Sequence, residues 1–170
     1  GTGKTSFARV LCNSLQVPLL ATSVSTWLEP SHLGGVIGRM RLSFEEAQSH
    51  KPCVLFIDEI DGIGKRGSSH EYSDYWNSVV NKLLELLDGA SKTQGVIIVS
   101  ATNNPENIDF ALRRSGRLET HIEIPLPDTD ALIGILAHHL GNDFLDVVAS
   151  QPKISGFAPE SVPVSDEIFH

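Results

Sequence analysis

The sequence is short of cysteine, short of basic residues relative to acidic ones, and has no long apolar run. Its two cysteines, Cys12 and Cys53, make neither a disulfide framework nor a metal-ligand spacing. They read as reduced thiols of a cytoplasmic protein. Thirteen Lys and Arg (13) face 21 Asp and Glu, for a formal net charge of -8. That balance argues against a protein whose main work is to coat nucleic acid. The longest apolar runs, at 54–57 and 96–99, have strand length, so none would span a bilayer. There is no internal repeat, no low-complexity tract and no H-E-x-x-H motif. No initiator Met or signal peptide precedes the first motif. The chain opens on Gly1-Thr2-Gly3-Lys4-Thr5, which reads as a fragment that begins inside a motif.

What is present suits one globular domain. The 170 residues can bury a sizeable core, and 41% of them are hydrophobic. Phe7, Val10, Leu11 and Leu15 have helical spacing, and a strand is expected at 19–24. Ile37, Met40, Phe44 and Ala47 predict a second helix. The run 53–57 predicts a strand buried on both faces. Trp76, Val79, Val80, Leu83, Leu84 and Leu87 mark an amphipathic helix, with Gly89 expected to close it. Strands are expected at 96–99 and 121–124, and Leu132, Ile135, Leu136 and Leu140 predict a last helix. Alternating helices and strands imply an α/β domain with a mostly parallel sheet.

Gly1-Thr2-Gly3-Lys4-Thr5 matches the end of the phosphate-loop pattern G-x-x-x-x-G-K-[ST]. Glycines let backbone N–H groups approach phosphate oxygens, Lys4 reaches the β/γ-phosphates, and the Thr5 hydroxyl holds Mg²⁺. The helix that follows directs its positive end at the anion. Asp58 and Glu59 sit at the tip of an apolar strand. Asp58 is placed to hold Mg²⁺ through water and Glu59 to polarise an attacking water. Asp61 reads as a surface or interface acid. Asn103, after the strand at 96–99, is the candidate amide for the γ-phosphate or the water; a turn Asn ahead of Pro105 is the plainer reading.

These residues together resemble the AAA family of ATPases. The likeness rests on G-T-G-K-T, C-V-L-F-I-D-E-I-D, V-V-N-K-L-L-E-L-L-D-G, and the stretch from Ile97 through A-T-N-N-P to R-R-S-G-R-L-E. It covers roughly residues 1 to 140. The resemblance implies a P-loop NTPase three-layer sandwich, with its first strand missing and its C-terminal helical lid cut short. Residues 1–128 would be the α/β core, and 129–170 the start of the lid and an irregular tail. It implies ATP and Mg²⁺ as ligands, with Gly1, Thr2, Gly3, Lys4 and Thr5 in the binding loop and Thr5 and Asp58 as metal ligands. Glu59 would be the catalytic base and Asn103 the first sensor. Arg114 and Arg117 would be arginine fingers acting on ATP in a neighbouring copy, which implies a homo-oligomeric ring, usually a hexamer.

Two departures from the family pattern stand out. His32 occupies the position where many unfoldases carry a pore-loop aromatic, with Trp27 upstream as the alternative. Ser155-Gly156-Phe157-Ala158-Pro159-Glu160 only loosely resembles the second sensor. The leading expectation is an ATP-driven remodelling motor acting on protein. A nucleotide-dependent assembly or scaffold module is the alternative, and a DNA-directed motor is less favoured. In this fold the strand before the phosphate loop lies between the strands at 96–99 and 121–124. The isolated chain is therefore expected not to bind ATP tightly.

Overall fold

The computed structural model describes residues 3–63 and 73–141. The chain divides into two compact units, Gly1–Pro125 and Leu126–His170. In the first, helix α1 (Lys4–Leu15) leads to strand β1 (Leu19–Ser23), the short helix α2 (Val24–Leu28) and helix α3 (Leu33–Ser49). Strand β2 (Cys53–Asp58), a 3-10 turn at Ile60–Ile63, helix α4 (Ser73–Ser91) and strand β3 (Val96–Ser100) follow. Further 3-10 turns lie at Pro105–Asn107 and Phe110–Arg113. The second unit contains helix α5 (Thr129–Leu140), whose start is capped by the Asp128 carboxylate accepting from Ala131 N at 2.9 Å.

The strands form one parallel sheet in the order β1-β2-β3, with Leu19 opposite Val54 and Cys53 opposite Val96. The sheet and its flanking helices make an α/β P-loop NTPase architecture, as expected. Central β2 is buried from Cys53 to Ile57. Its alternation sorts the two faces: Cys53, Leu55 and Ile57 join the main core, while Phe56 packs with Ala8 of α1 and Ala101. The main core is built where α3 and α4 cover the sheet. Val36, Met40, Phe44 and Ala47 supply the α3 stripe, and Val79, Val80, Leu83, Leu87 and Ala90 the α4 stripe. Both cysteines are buried and unlinked, and burial pushes their thiols up from the ordinary value.

One helix makes the energetics testable. Met40 is fully buried, whereas Leu42, two residues along on the opposite face of α3, is 62% exposed. Met40→Ala is expected to destabilise the domain by about 2–5 kcal/mol, and Leu42→Ala by about 0.5 kcal/mol or less. Urea unfolding followed by tryptophan fluorescence measures both; equal losses would contradict this placement of the core.

Three expectations need correction. Gly89 does not close α4, which runs on to Ser91 because Ala90 is buried in the core. The Gly89 and Ala90 carbonyls are then met by the Thr93 side chain and backbone N–H. Val24 opens α2 instead of ending β1, since the Ser23 hydroxyl caps the turn by accepting from Thr26 N at 3.2 Å. Residues 121–124 form no strand. A ladder needs a neighbour about 4.8 Å away, and β3 pairs with β2 but not with 121–124. Ile122 and Ile124 instead help to line a cleft of about 430 Å³, together with Phe7, Leu11, Ile98 and Val99.

Candidate active site

Helix α1 starts where the sequence turns from Gly3 to Lys4. Gly3 has φ 86°, a left-handed conformation that disfavours a Cβ, and the helix has no side-chain cap at this end. The first N–H groups of α1 thus keep the arrangement that receives an anion. Gly1 and Thr2 lie outside the described residues. Thr5 is in the first turn and exposed.

Lys4 fixes where the other parts meet. Its Nζ donates to Asn103 Oδ1 at 2.5 Å, joining residues 99 positions apart. Asn103 follows β3, and Asp58 ends the adjacent parallel β2. The N-terminus of α1, the Asp58–Glu59 pair and Asn103 therefore converge at the C-terminal edge of the sheet, where open α/β folds bind ligands.

Asp58 is half-buried, and its Oδ1 accepts from Glu59 N at 2.9 Å. Glu59 is exposed and has φ 56°, in the left-handed region. The turn is held on both sides. Ala101 N donates to Ile57 O at 2.9 Å, and Ile60 N to Ala101 O at 3.0 Å. Ile60 and Ile63, each 1% exposed, anchor the 3-10 turn behind it. The residues present suit a nucleotide with Mg²⁺: an uncapped glycine-led helix start, a lysine, a hydroxyl, and a carboxylate pair on the neighbouring strand tip. Such a Mg²⁺ takes few protein ligands and draws the rest from phosphate and water.

Asp61 is not a loose surface acid. Its Oδ1 accepts from Thr102 Oγ1 at 2.7 Å and its Oδ2 from Asn104 Nδ2 at 2.8 Å. Burial raises its pKa, but hydrogen bonds from Asn104 and Thr102 and the nearby Lys4 charge outweigh this and hold it below the ordinary value. No sequence pattern singled out this trio, although Thr102 and Asn104 flanking a strand-tip Asn are turn-forming types.

The two arginines differ. Arg114 is exposed, with its guanidinium 5.0 Å from the centre of the Phe110 ring. Arg117 is engaged within its own chain. Its Nε and Nη2 donate to the two oxygens of Asp88 at 2.6 and 2.8 Å, and its Nη1 to Ala111 O at 2.8 Å. The hydrogen bond lowers the Asp88 pKa and raises that of Arg117. His32 is exposed at the start of α3, and its ring lies over Gly35, where a Cβ would come within 3.1 Å of it. Trp27 cannot stand in for a pore aromatic: it is 1% exposed, and its indole N–H donates to Ser43 Oγ at 3.0 Å. The loose second-sensor segment at 155–160 lies outside the described residues.

Comparison with known proteins identifies the family. Residues 1–126 match the family model described as "ATPase family associated with various cellular activities (AAA)". The chain is 36% identical over 140 residues to the ATP-dependent zinc metalloprotease YME1 homolog of Caenorhabditis elegans, covering 82% of this chain and 19% of that protein. It is 39% identical over 166 residues to the ATP-dependent zinc metalloprotease FtsH of Acidothermus cellulolyticus, covering 92% and 25%. It is 41% identical over 142 residues to FtsH of Burkholderia pseudomallei, covering 82% and 21%. The chain thus spans a quarter or less of the length of these relatives. No described helix is long and apolar enough to cross a membrane. With the family model matched over residues 1–126 and relatives 36–41% identical, the chain belongs to the AAA family of ATPases.

Proposed function

We propose that the protein binds ATP with Mg²⁺ and hydrolyses it in a ring of identical copies, in order to remodel or unfold protein substrates. The observation that carries the reading is the Lys4–Asn103 hydrogen bond, which joins the phosphate-loop helix to the strand edge bearing Asp58 and Glu59. Gly1, Thr2 and Gly3 would cradle phosphate oxygens with their N–H groups, and Lys4 would meet the β/γ-phosphates. Thr5 and Asp58 would hold Mg²⁺, which when bound neutralises charge on the phosphate oxygens. Because Asn103 Oδ1 accepts from Lys4, its Nδ2 is left to donate to a γ-phosphate oxygen or the attacking water. Glu59 would accept the water's proton.

Arg114 and Arg117 would serve the nucleotide of the next copy. Of the two, Arg114 already holds its charge at the surface, whereas Arg117 would first have to release Asp88. Protein as the substrate class is supported by the relatives, which are named ATP-dependent proteases.

The test is steady-state ATP hydrolysis by the full-length protein, alone and with unfolded protein or double-stranded DNA. Stimulation by unfolded protein is expected. Stimulation by DNA alone would favour a DNA-directed motor, and hydrolysis indifferent to both would favour an assembly module.

A further inference from the structure

Asn103 is exposed on a loop, yet its amide must be aimed to within a few tenths of an ångström if it is to sense a phosphate. The loop is fixed from outside itself. Thr102 and Asn104, the residues on either side of Asn103, both donate to the same carboxylate, that of Asp61. Thr102 Oγ1 also accepts from the Asn104 backbone N–H at 2.9 Å, so three hydrogen bonds tie Asp61, Thr102 and Asn104 together on either side of position 103. Beneath it, Ala101 is bonded through its backbone to Ile57 and Ile60 on the neighbouring strand end. Asp61 itself stands on the turn pinned by buried Ile60 and Ile63.

We propose that Asp61 is a positioning residue for ATP hydrolysis: by gripping Thr102 and Asn104 it holds the Asn103 amide in line with Lys4. The inference rests on Asn103 being the residue that contacts the γ-phosphate or the water. The chemistry explains why an acid is needed at 61. Two donors converge on it, and only a carboxylate presents two acceptor oxygens without a competing N–H. It also separates the duties of the acids at this strand end. Asp58 and Glu59 lead into the site, whereas both Asp61 oxygens are committed to the loop.

The experiment uses the full-length protein with Asn103→Ala, Asp61→Ala, Thr102→Val and the double variant Asp61→Ala/Asn103→Ala. It reads kcat for ATP hydrolysis, and the affinities for ATP and ADP with fluorescent nucleotide analogues. Asn103→Ala is expected to lower kcat and the preference for ATP over ADP, with ADP affinity kept. Asp61→Ala and Thr102→Val are expected to do the same, with kcat down by about tenfold or more. The double variant is expected to match Asn103→Ala within about twofold, because both changes act through one amide. Thr102→Val removes a donor to Asp61 with little change of shape, so it decides the matter if Asp61→Ala does not fold. If Asn103→Ala slows turnover while Asp61→Ala and Thr102→Val do not, or if the losses multiply in the double variant, the role of Asp61 is overturned and that of Asn103 stands. If Asn103→Ala changes nothing, the reading of Asn103 fails and the positioning role falls with it.

Discussion

Glu59→Gln in the full-length protein is expected to keep ATP affinity within about threefold of wild type while turnover falls by on the order of 10²–10⁴-fold. The amide has the size of the carboxylate but cannot take a proton from water. Binding is expected to be retained because the groups proposed to meet the phosphates and Mg²⁺ lie elsewhere, at the start of α1 and at Asp58. Measured turnover within tenfold of wild type would remove Glu59 from the role of base. The backbone supplies a second readout. At φ 56° a residue with a Cβ is strained by roughly 1–2 kcal/mol. Glu59→Gly should therefore be more stable than Glu59→Ala by about 1 kcal/mol, although both lack the carboxylate.

That strain has a physical origin in the fold. β2 must leave the sheet immediately after Asp58 so that Ile60 and Ile63 can enter the core. Burying each isoleucine contributes about 1.5–3 kcal/mol, which outweighs the strain at the pivot. The same turn leaves Glu59 exposed at the sheet edge while Asp61 turns back toward the β3 loop. The exposure of Glu59 and the grip of Asp61 on the loop after β3 are thus two results of one backbone reversal.

Much of this was legible in the sequence, for identifiable reasons. The strand 53–58 announces itself because both of its faces are buried, which makes it a continuous apolar run. The stripes on α3 and α4 are read from their period, and the places of Lys4 at the start of α1 and Asp58 at the end of β2 from the order of apolar runs and motif residues. What escaped was set by contacts distant in sequence. Asp61 meets Thr102 and Asn104 across 41 and 43 positions, and Asp88 meets Arg117 across 29. Neither pairing leaves a local pattern. The strand expected at 121–124 shows the converse: alternation is a local property, but a strand exists only where a neighbour completes its ladder. Gly89 misled because a glycine near a helix end is a stop signal only if the next residues have no reason to stay helical. Ala90 has one, being 3% exposed within the core.

Arg114→Ala is expected to lower turnover by on the order of 10³–10⁵-fold while leaving ATP affinity nearly unchanged, as loss of an arginine finger does. The expectation follows from where the charge lies. Arg114 rests on the exposed face of Phe110, with its guanidinium at the surface of the chain. A charge so placed can reach a nucleotide held by an adjacent copy. Mixing provides the decisive measurement. Arg114→Ala subunits keep their own Glu59 but offer no finger, and Glu59→Gln subunits offer the finger but cannot activate water. Each ring alone is inactive. In a ring with repeated head-to-tail interfaces, a complete site forms wherever an Arg114→Ala subunit holds the nucleotide and a Glu59→Gln subunit supplies the arginine. With equal amounts and random assembly, that arrangement occurs at about one interface in four, so recovery approaching about a quarter of wild-type turnover is expected if sites fire independently. Recovery cannot arise if Arg114 serves the nucleotide of its own subunit, because then no mixture contains a complete site. Absence of recovery in rings shown to contain both subunits would therefore overturn the assignment of Arg114 to the nucleotide of the neighbouring copy.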